Sequence, residues 1–213
     1  MDILEIMRKR HSVRQYKNQA IEPPKREEIN LLIKAVNAES KMSIQAFYDE
    51  PECFDSFMAH YGKFENVKNY IAIVGNKNEQ EKAGYYGEKI VLKCQELGLN
   101  TCWVAMTHGK SKAEIKKGQK LLIIISLGYG KTQGVPHKSK SISELSRTDE
   151  VAEWFETGME AVKLAPTAVN QQKFLFELKN GIVTAKNLGG FYSKIDLGIV
   201  KYHFEAVTGH EVK

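Results

Sequence analysis

The 213-residue chain has little cysteine and no pattern in which to use it. Cys53, Cys94 and Cys102 are odd in number and never spaced CxxC, which excludes a disulfide framework and a zinc knuckle. Cys94 and Cys102 have apolar neighbours and read as buried thiols. The histidines at 11, 60, 108, 137, 203 and 210 form no metal-ligand pair on a helix. No apolar run reaches membrane-spanning length and no signal-peptide core opens the chain, so the expected setting is cytoplasmic, with no membrane partner. No G-x-G-x-x-G follows a strand, so no dinucleotide pyrophosphate cradle is offered. Charge is not strongly one-sided: 31 Lys and Arg against 26 Asp and Glu leave a net +5, which favours anionic ligands without establishing nucleic-acid binding. The densest basic run, Lys110 to Lys120, lacks interleaved aromatics and reads as a solvated helix face, not a nucleic-acid surface.

What is present is an ordinary globular pattern, 42% hydrophobic and 27% charged, long enough for one large or two small domains. Met1 to Arg10 predicts a short helix, and Pro23-Pro24 opens a second, Lys25 to about Ala38. Residues 39 to 66 predict mixed helix and loop, their scattered aromatics read as core by default. Asn69 to Gly75, Leu99 to Met106 and Leu121 to Gly128 predict buried strands, the last of them central. Helices are expected over Gly84 to Leu97, Lys112 to Gln119, Thr148 to Leu164 (capped by Thr148 or Asp149) and Ile195 to Thr208. Asn180-Gly181 between two short strands signals a hairpin.

One stretch carries chemistry. In Arg10-His11-Ser12-Val13-Arg14, two guanidiniums and a hydroxyl occupy alternate positions. In an extended segment they share a face and suit a phosphate; the plainer reading is a solvated basic stretch. Lys138 and Lys140 supply two further cations, or belong to a surface loop. The last third also echoes the first: Ala35-Val36 matches Ala161-Val162, and Gly87 and Gly98 fall opposite Gly198 and Gly209. The match is either chance between amphipathic helices or a degenerate half-repeat, in which one chain imitates a two-fold dimer.

Arg10-x-Ser12-x-Arg14, then Gly98-Leu99-Asn100-Thr101-Cys102-Trp103, then Leu127-Gly128-Tyr129, then Lys138-x-Lys140 together resemble the nitroreductase family of flavin enzymes. The family's A-P-S-x-x-N motif is lost after the second helix, where Ala38-Glu39-Ser40 stands. It reappears as Ala165-Pro166-Thr167-Ala168-Val169-Asn170. The resemblance implies an α+β, nitroreductase-like fold: a central mixed or antiparallel sheet flanked by helices, forming a pseudo-two-fold dimer within one chain. Residues 1-145 would be the first half, and 146-213 a truncated second half completing the site. It implies one FMN per chain, held by Arg10, His11, Ser12, Arg14, Lys138, Lys140, Pro166, Thr167, Ala168 and Asn170, with Val104, Ala105 and Met106 on the strand beside the ring. NAD(P)H would be the co-substrate and a nitro, quinone or related small molecule the electron acceptor. No catalytic acid, base or nucleophile stands out, as befits chemistry done by a cofactor. A monomer would suffice, a homodimer not being excluded. The alternatives are a flavin-binding carrier or sensor without turnover and, far behind, a nucleic-acid-binding domain.

Overall fold

The structure, a computed structural model, describes residues 2–213. Ile3–Lys9 forms α1 and Pro23–Ser40 forms α2, which buries Ile29, Ile33 and Val36. Met1, expected in the first helix, lies outside the described residues. The next segment departs from expectation, because Ser43–Phe47 is a strand, β1. Asn37 explains it: its carboxamide donates to Ile44 O and accepts from Ile44 N–H, both at 2.8 Å, turning the chain back along α2. A 3₁₀ turn at Glu52–Phe54 and the short α3, Phe57–Tyr61, follow. Of the aromatics here Phe54 and Phe64 are core and pack together, and half-buried Phe47 stacks on Tyr70, whereas Phe57 and Tyr61, expected in the core by default, are 82% and 75% exposed on the surface of α3.

Asn69–Gly75 is β2, Gln80–Glu96 α4, Asn100–Val104 β3 and Lys120–Gly128 β4. The sheet order is β1-β2-β4-β3, antiparallel throughout, so β4 shares the centre with β2. The helix expected over Lys112 to Gln119 is absent. Side chains take the amide hydrogens an α-helix would use: Lys112 N–H donates to Tyr70 Oη, Glu114 N–H to Gln45 Oε1 and Lys116 N–H to Gln119 Oε1. Gly118, at φ 87°, then turns the chain into β4.

Ile142–Leu145 is α5, Ser146–Thr148 β5, Glu153–Val162 α6, Phe174–Lys179 β6, Ile182–Asn187 β7 and Ser193–Thr208 α7. Thr148 does not cap α6. It lies in β5, its hydroxyl accepts from Glu150 N–H, and the helix begins five residues on. The Asn180-Gly181 hairpin forms as expected, both residues at positive φ. The second sheet is mixed: β5 runs parallel to β6, and β6 pairs antiparallel with β7.

Setting aside the 3₁₀ turn and short α3 inserted between β1 and β2, the order α2-β1-β2-α4 resembles α6-β6-β7-α7. The two long helices α4 and α7 pack against each other at backbone distance. A Cβ at Gly84 would overlap Ile195 O, and one at Gly198 would overlap Glu81 O. One apolar core runs from Ile29 on α2 and Ile71 on β2 to Phe176 on β6 and Phe204 on α7.

Candidate active site

The basic row is extended and rides on the open edge of β3, with Val13 N–H donating to Thr101 O. Alternation then sorts the side chains. Val13, between Ser12 and Arg14, is buried, while Arg10, Ser12 and Arg14 line a cavity of about 260 Å³ together with His11, His137, Pro166, Thr167 and Asn170. A second cavity, of about 330 Å³, adjoins it, sharing Ser12, Arg14, Pro166, Thr167 and Val169. This second cavity is mainly apolar, walled by Trp103, Ala105, Met106, Ile123, Ala168, Phe191, Ile195 and Ile199. Together they make one cleft between residues 10–137 and residues 166–199, basic at one end and apolar at the other.

Arg10 is 3% exposed, with Glu88 Oε1 3.8 Å from its Nε, and neither Nε nor Nη1 has a hydrogen-bond partner among the described residues. Buried guanidinium N–H groups are costly to leave unpaired. Burial pulls Arg10 below its ordinary pKa, against the attraction of Glu88. Beneath it, Glu88 accepts from Trp103 Nε1 at 2.9 Å and faces His203 Nε2 at 3.0 Å; His203 Nδ1 donates to Ala161 O at 2.9 Å. One proton thus lies between carboxylate and ring. Burial alone would raise Glu88, but the His203 and Trp103 hydrogen bonds and the Arg10 charge bring it below the usual carboxylate range. Arg14, four residues on, is exposed and lies 6.0 Å from the Phe64 ring. His11 and His137 are both held low, first by burial and partly by the Arg10 charge.

The opposite wall is a strained loop. Val169, Asn170 and Gln172 all have positive φ, unfavourable above all for β-branched Val169. Buried polar groups hold it. Gln172 Nε2 donates to Lys138 O and Asn170 Oδ1, its Oε1 accepts from Lys140 N–H, and its own N–H donates to Thr167 Oγ1. Asp196, 4% exposed on α7, accepts from Ala168 N–H at 2.9 Å and Gln171 Nε2 at 2.7 Å. Burial raises its pKa to about 6 despite these donors.

The structure therefore gathers Arg10, His11, Ser12, Arg14, Pro166, Thr167, Ala168, Asn170, Ala105 and Met106 around the cleft. Three expected residues do not line it. Val104 points into the core at 1% exposure, as alternation along β3 requires. Lys138 meets the loop through its carbonyl, and the Lys140 ammonium donates to Gln172 O. Asn170 lines only the basic end, with its carboxamide bonded to Lys138 and Gln172. The sequence reading missed His137, Glu88, Asp196 and His203.

A family model described as "Putative TM nitroreductase" matches residues 2–208. The chain belongs to this nitroreductase family. No curated protein matches it. Among solved structures, a "putative nitroreductase" from Thermotoga maritima MSB8 superposes with TM-score 0.72 at 24% identity, over 97% of this chain and 83% of that one. A nitroreductase family protein from Clostridium difficile 630 gives TM-score 0.53 at 14% identity, over 71% of this chain and 100% of the other. A "putative nitroreductase in complex with FMN" from Desulfovibrio desulfuricans gives 0.53 at 16%, over 67% and 94%. At these identities the likeness is one of fold. The cleft of this nitroreductase-family chain offers two things chemically: cationic donors waiting for an anion, and flat apolar walls. Among the described residues no cluster of side chains could hold a metal ion, and no helix is long and apolar enough to cross a membrane.

Proposed function

We propose that the cleft binds FMN and that the protein passes electrons from NAD(P)H to a small nitro, quinone or related acceptor. The observation that carries this is Arg10: a buried guanidinium with two unpartnered N–H-bearing nitrogens on a cavity shared with Ser12 and Arg14. A terminal phosphate satisfies that need with charge-assisted hydrogen bonds. His137, whose Nε2 donates to Lys163 O, lines the same end of the cleft as a neutral ring held low by burial. Lys138 and Lys140 would act at one remove, by fixing the loop through Gln172.

Bound there, FMN would supply the hydride and electron chemistry. The chain's part is to hold and bury it. Trp103, Ala105 and Met106 on one side and Pro166 to Val169 on the other form the walls for a planar ring. Asp196 keeps the second wall in place. Met106, Val169 and Phe191 stay largely exposed at the mouth, an apolar rim suited to a flat aromatic acceptor.

We also infer that the two halves form a pseudo-dimer within one chain. Three observations support it: the repeated element order, the shared core, and the Gly84–Ile195 contact between positions 111 apart, the same offset that relates Gly87 to Gly198. The Clostridium and Desulfovibrio folds are almost wholly covered by 71% and 67% of this chain, which leaves about 30% of it outside the shared fold. Residues 146–213 hold no second Arg-x-Ser-x-Arg row, so one FMN per chain is expected and no second copy is needed to build the site.

The test is the visible spectrum after incubation with FMN and gel filtration. Flavin bands at one per chain are expected in the wild type and lost from Arg14→Ala, whose exposed side chain lies 6.0 Å from the Phe64 ring and reaches the Cys102 thiol. A protein that stays colourless overturns the reading.

A further inference from the structure

A third cavity, of about 530 Å³, lies on the far side of Phe191 and Tyr192, which line both it and the apolar end of the cleft. Three separate elements bring lysines to it: Lys77 follows β2, Lys120 opens β4 and Lys194 lies in the first turn of α7. Register fixes the first two near each other, since Lys120 pairs with Gly75. All three are exposed, and none has a side-chain hydrogen bond or ion pair among the described residues. No carboxylate lines the cavity. The contrast with neighbouring lysines is direct: Lys82 on α4 pairs with Glu79 and Lys201 on α7 with Glu81. Three uncompensated ammonium groups around one concavity make a local positive potential that an anion relieves.

The connection to the cleft is a segment of positive-φ backbone. Gly189 and Gly190 have φ of 82° and 114°, and Tyr192 is left-handed at 53°. Phe191 is 42% exposed at the boundary between the two cavities. An elongated ligand with an aromatic ring at one end and phosphates at the other could place the ring in the apolar cleft and the phosphates beyond Phe191. Nothing in the first cavity explains the lysines, and a small neutral acceptor would not need them.

We propose that this lysine cavity binds the phosphate groups of the nicotinamide dinucleotide donor, and so selects a phosphate-bearing donor over a truncated one. The inference rests on the oxidoreductase reading above and deepens it. Lys77, Lys120 and Lys194 act as point charges on a compact anion, a role that fits ammonium groups without bidentate geometry.

The experiment compares wild type with the triple variant Lys77→Glu, Lys120→Glu, Lys194→Glu, all exposed positions. KM is measured for NADPH, for NADH and for the uncharged donor 1-benzyl-1,4-dihydronicotinamide. In the variant, KM for the dinucleotides is expected to rise by about tenfold or more with kcat and the flavin spectrum unchanged. KM for the uncharged donor should not move. A rise for NADPH alone assigns the lysines to the 2′-phosphate, and an equal rise for NADH assigns them to the pyrophosphate. A dinucleotide KM that shifts less than about twofold, or an equal shift for the uncharged donor, overturns the proposal. Calorimetric titration with adenosine 2′,5′-bisphosphate and with ADP reads the site without turnover, even in a protein that takes up no flavin. Binding weakened by the variant and by salt supports the proposal. No binding of either probe to the wild type overturns it.

Discussion

On one wall of the cleft, Arg10, Ser12 and Arg14 ride on a segment paired to β3, above a buried cluster of Glu88, His203 and Trp103. On the other, Thr167 to Gln172 is a strained loop held by the side-chain hydrogen bonds of Asp196 and Gln172. The first wall draws its rigidity from sheet pairing and compensated buried charge. The second stores strain that a few polar contacts restrain. A site built this way keeps its anion end fixed and leaves its ring-side wall adjustable. Mutations under the two walls should therefore differ in kind: global stability on one side, local geometry on the other.

The largest effect is expected from Glu88→Ala. It leaves Arg10 buried without its carboxylate and strands the proton shared with His203. Removing one partner of such a pair costs about 3–5 kcal/mol, enough to threaten folding. Urea denaturation measures it, and a loss below about 1 kcal/mol would show the cluster to be less dry than its 0% exposure of Glu88 indicates.

Next comes Gly198→Ala, which tests whether the walls are fixed by the seam between α4 and α7. The added methyl overlaps Glu81 O, and backbone cannot step aside as a flexible side chain could. Overpacking of this sort costs about 1–3 kcal/mol or more. Thermal unfolding should show a single lowered transition, because the core is shared. Two separate transitions would instead mean halves that unfold independently.

How much of this was legible beforehand follows the same division. The basic row could be read from alternation, and the strand partner of residues 12 and 13 kept that alternation intact. The same rule also removes Val104, the one residue of the Val104–Met106 trio that points inward. Pro166 and Thr167 were legible as a displaced motif. Lys138 and Lys140 misled because sequence shows a charge but not its partner, here the carbonyl of Gln172 for Lys140. Strand β1 was hidden because a single side chain, Asn37, directs it. Glu88, Asp196 and His203 did leave a signal: each is an ionisable residue inside an otherwise buried helical stripe. Such a residue demands a partner, and the partners here lie on distant elements that periodicity alone does not connect.

Asp196→Asn should be the smallest change in stability near neutral pH, and the most informative about the second wall. Asn keeps an acceptor for Ala168 N–H but turns a donor toward Gln171 Nε2. The lost bond, about 1 kcal/mol, is offset in part by relief of a buried charge. The pH dependence is where the variant should differ. Burial raises this carboxyl from 3.8 to about 6, so the folded protein holds a proton there that the unfolded chain has released. Stability from this group is therefore present below about pH 4 and lost as pH rises through about 6, by about 3 kcal/mol at most. Wild type minus variant, followed by urea unfolding across that range, should show this negative slope. Flavin retention should follow the opposite course, because the carboxylate is the stronger acceptor for Ala168 and Gln171: looser in acid for the wild type, and independent of pH over the same range for the variant. A wild type whose flavin affinity is flat from pH 4 to 7 would show that the loop is held by Gln172 alone, and the asymmetry between the walls would then be one of backbone strain without a titratable restraint.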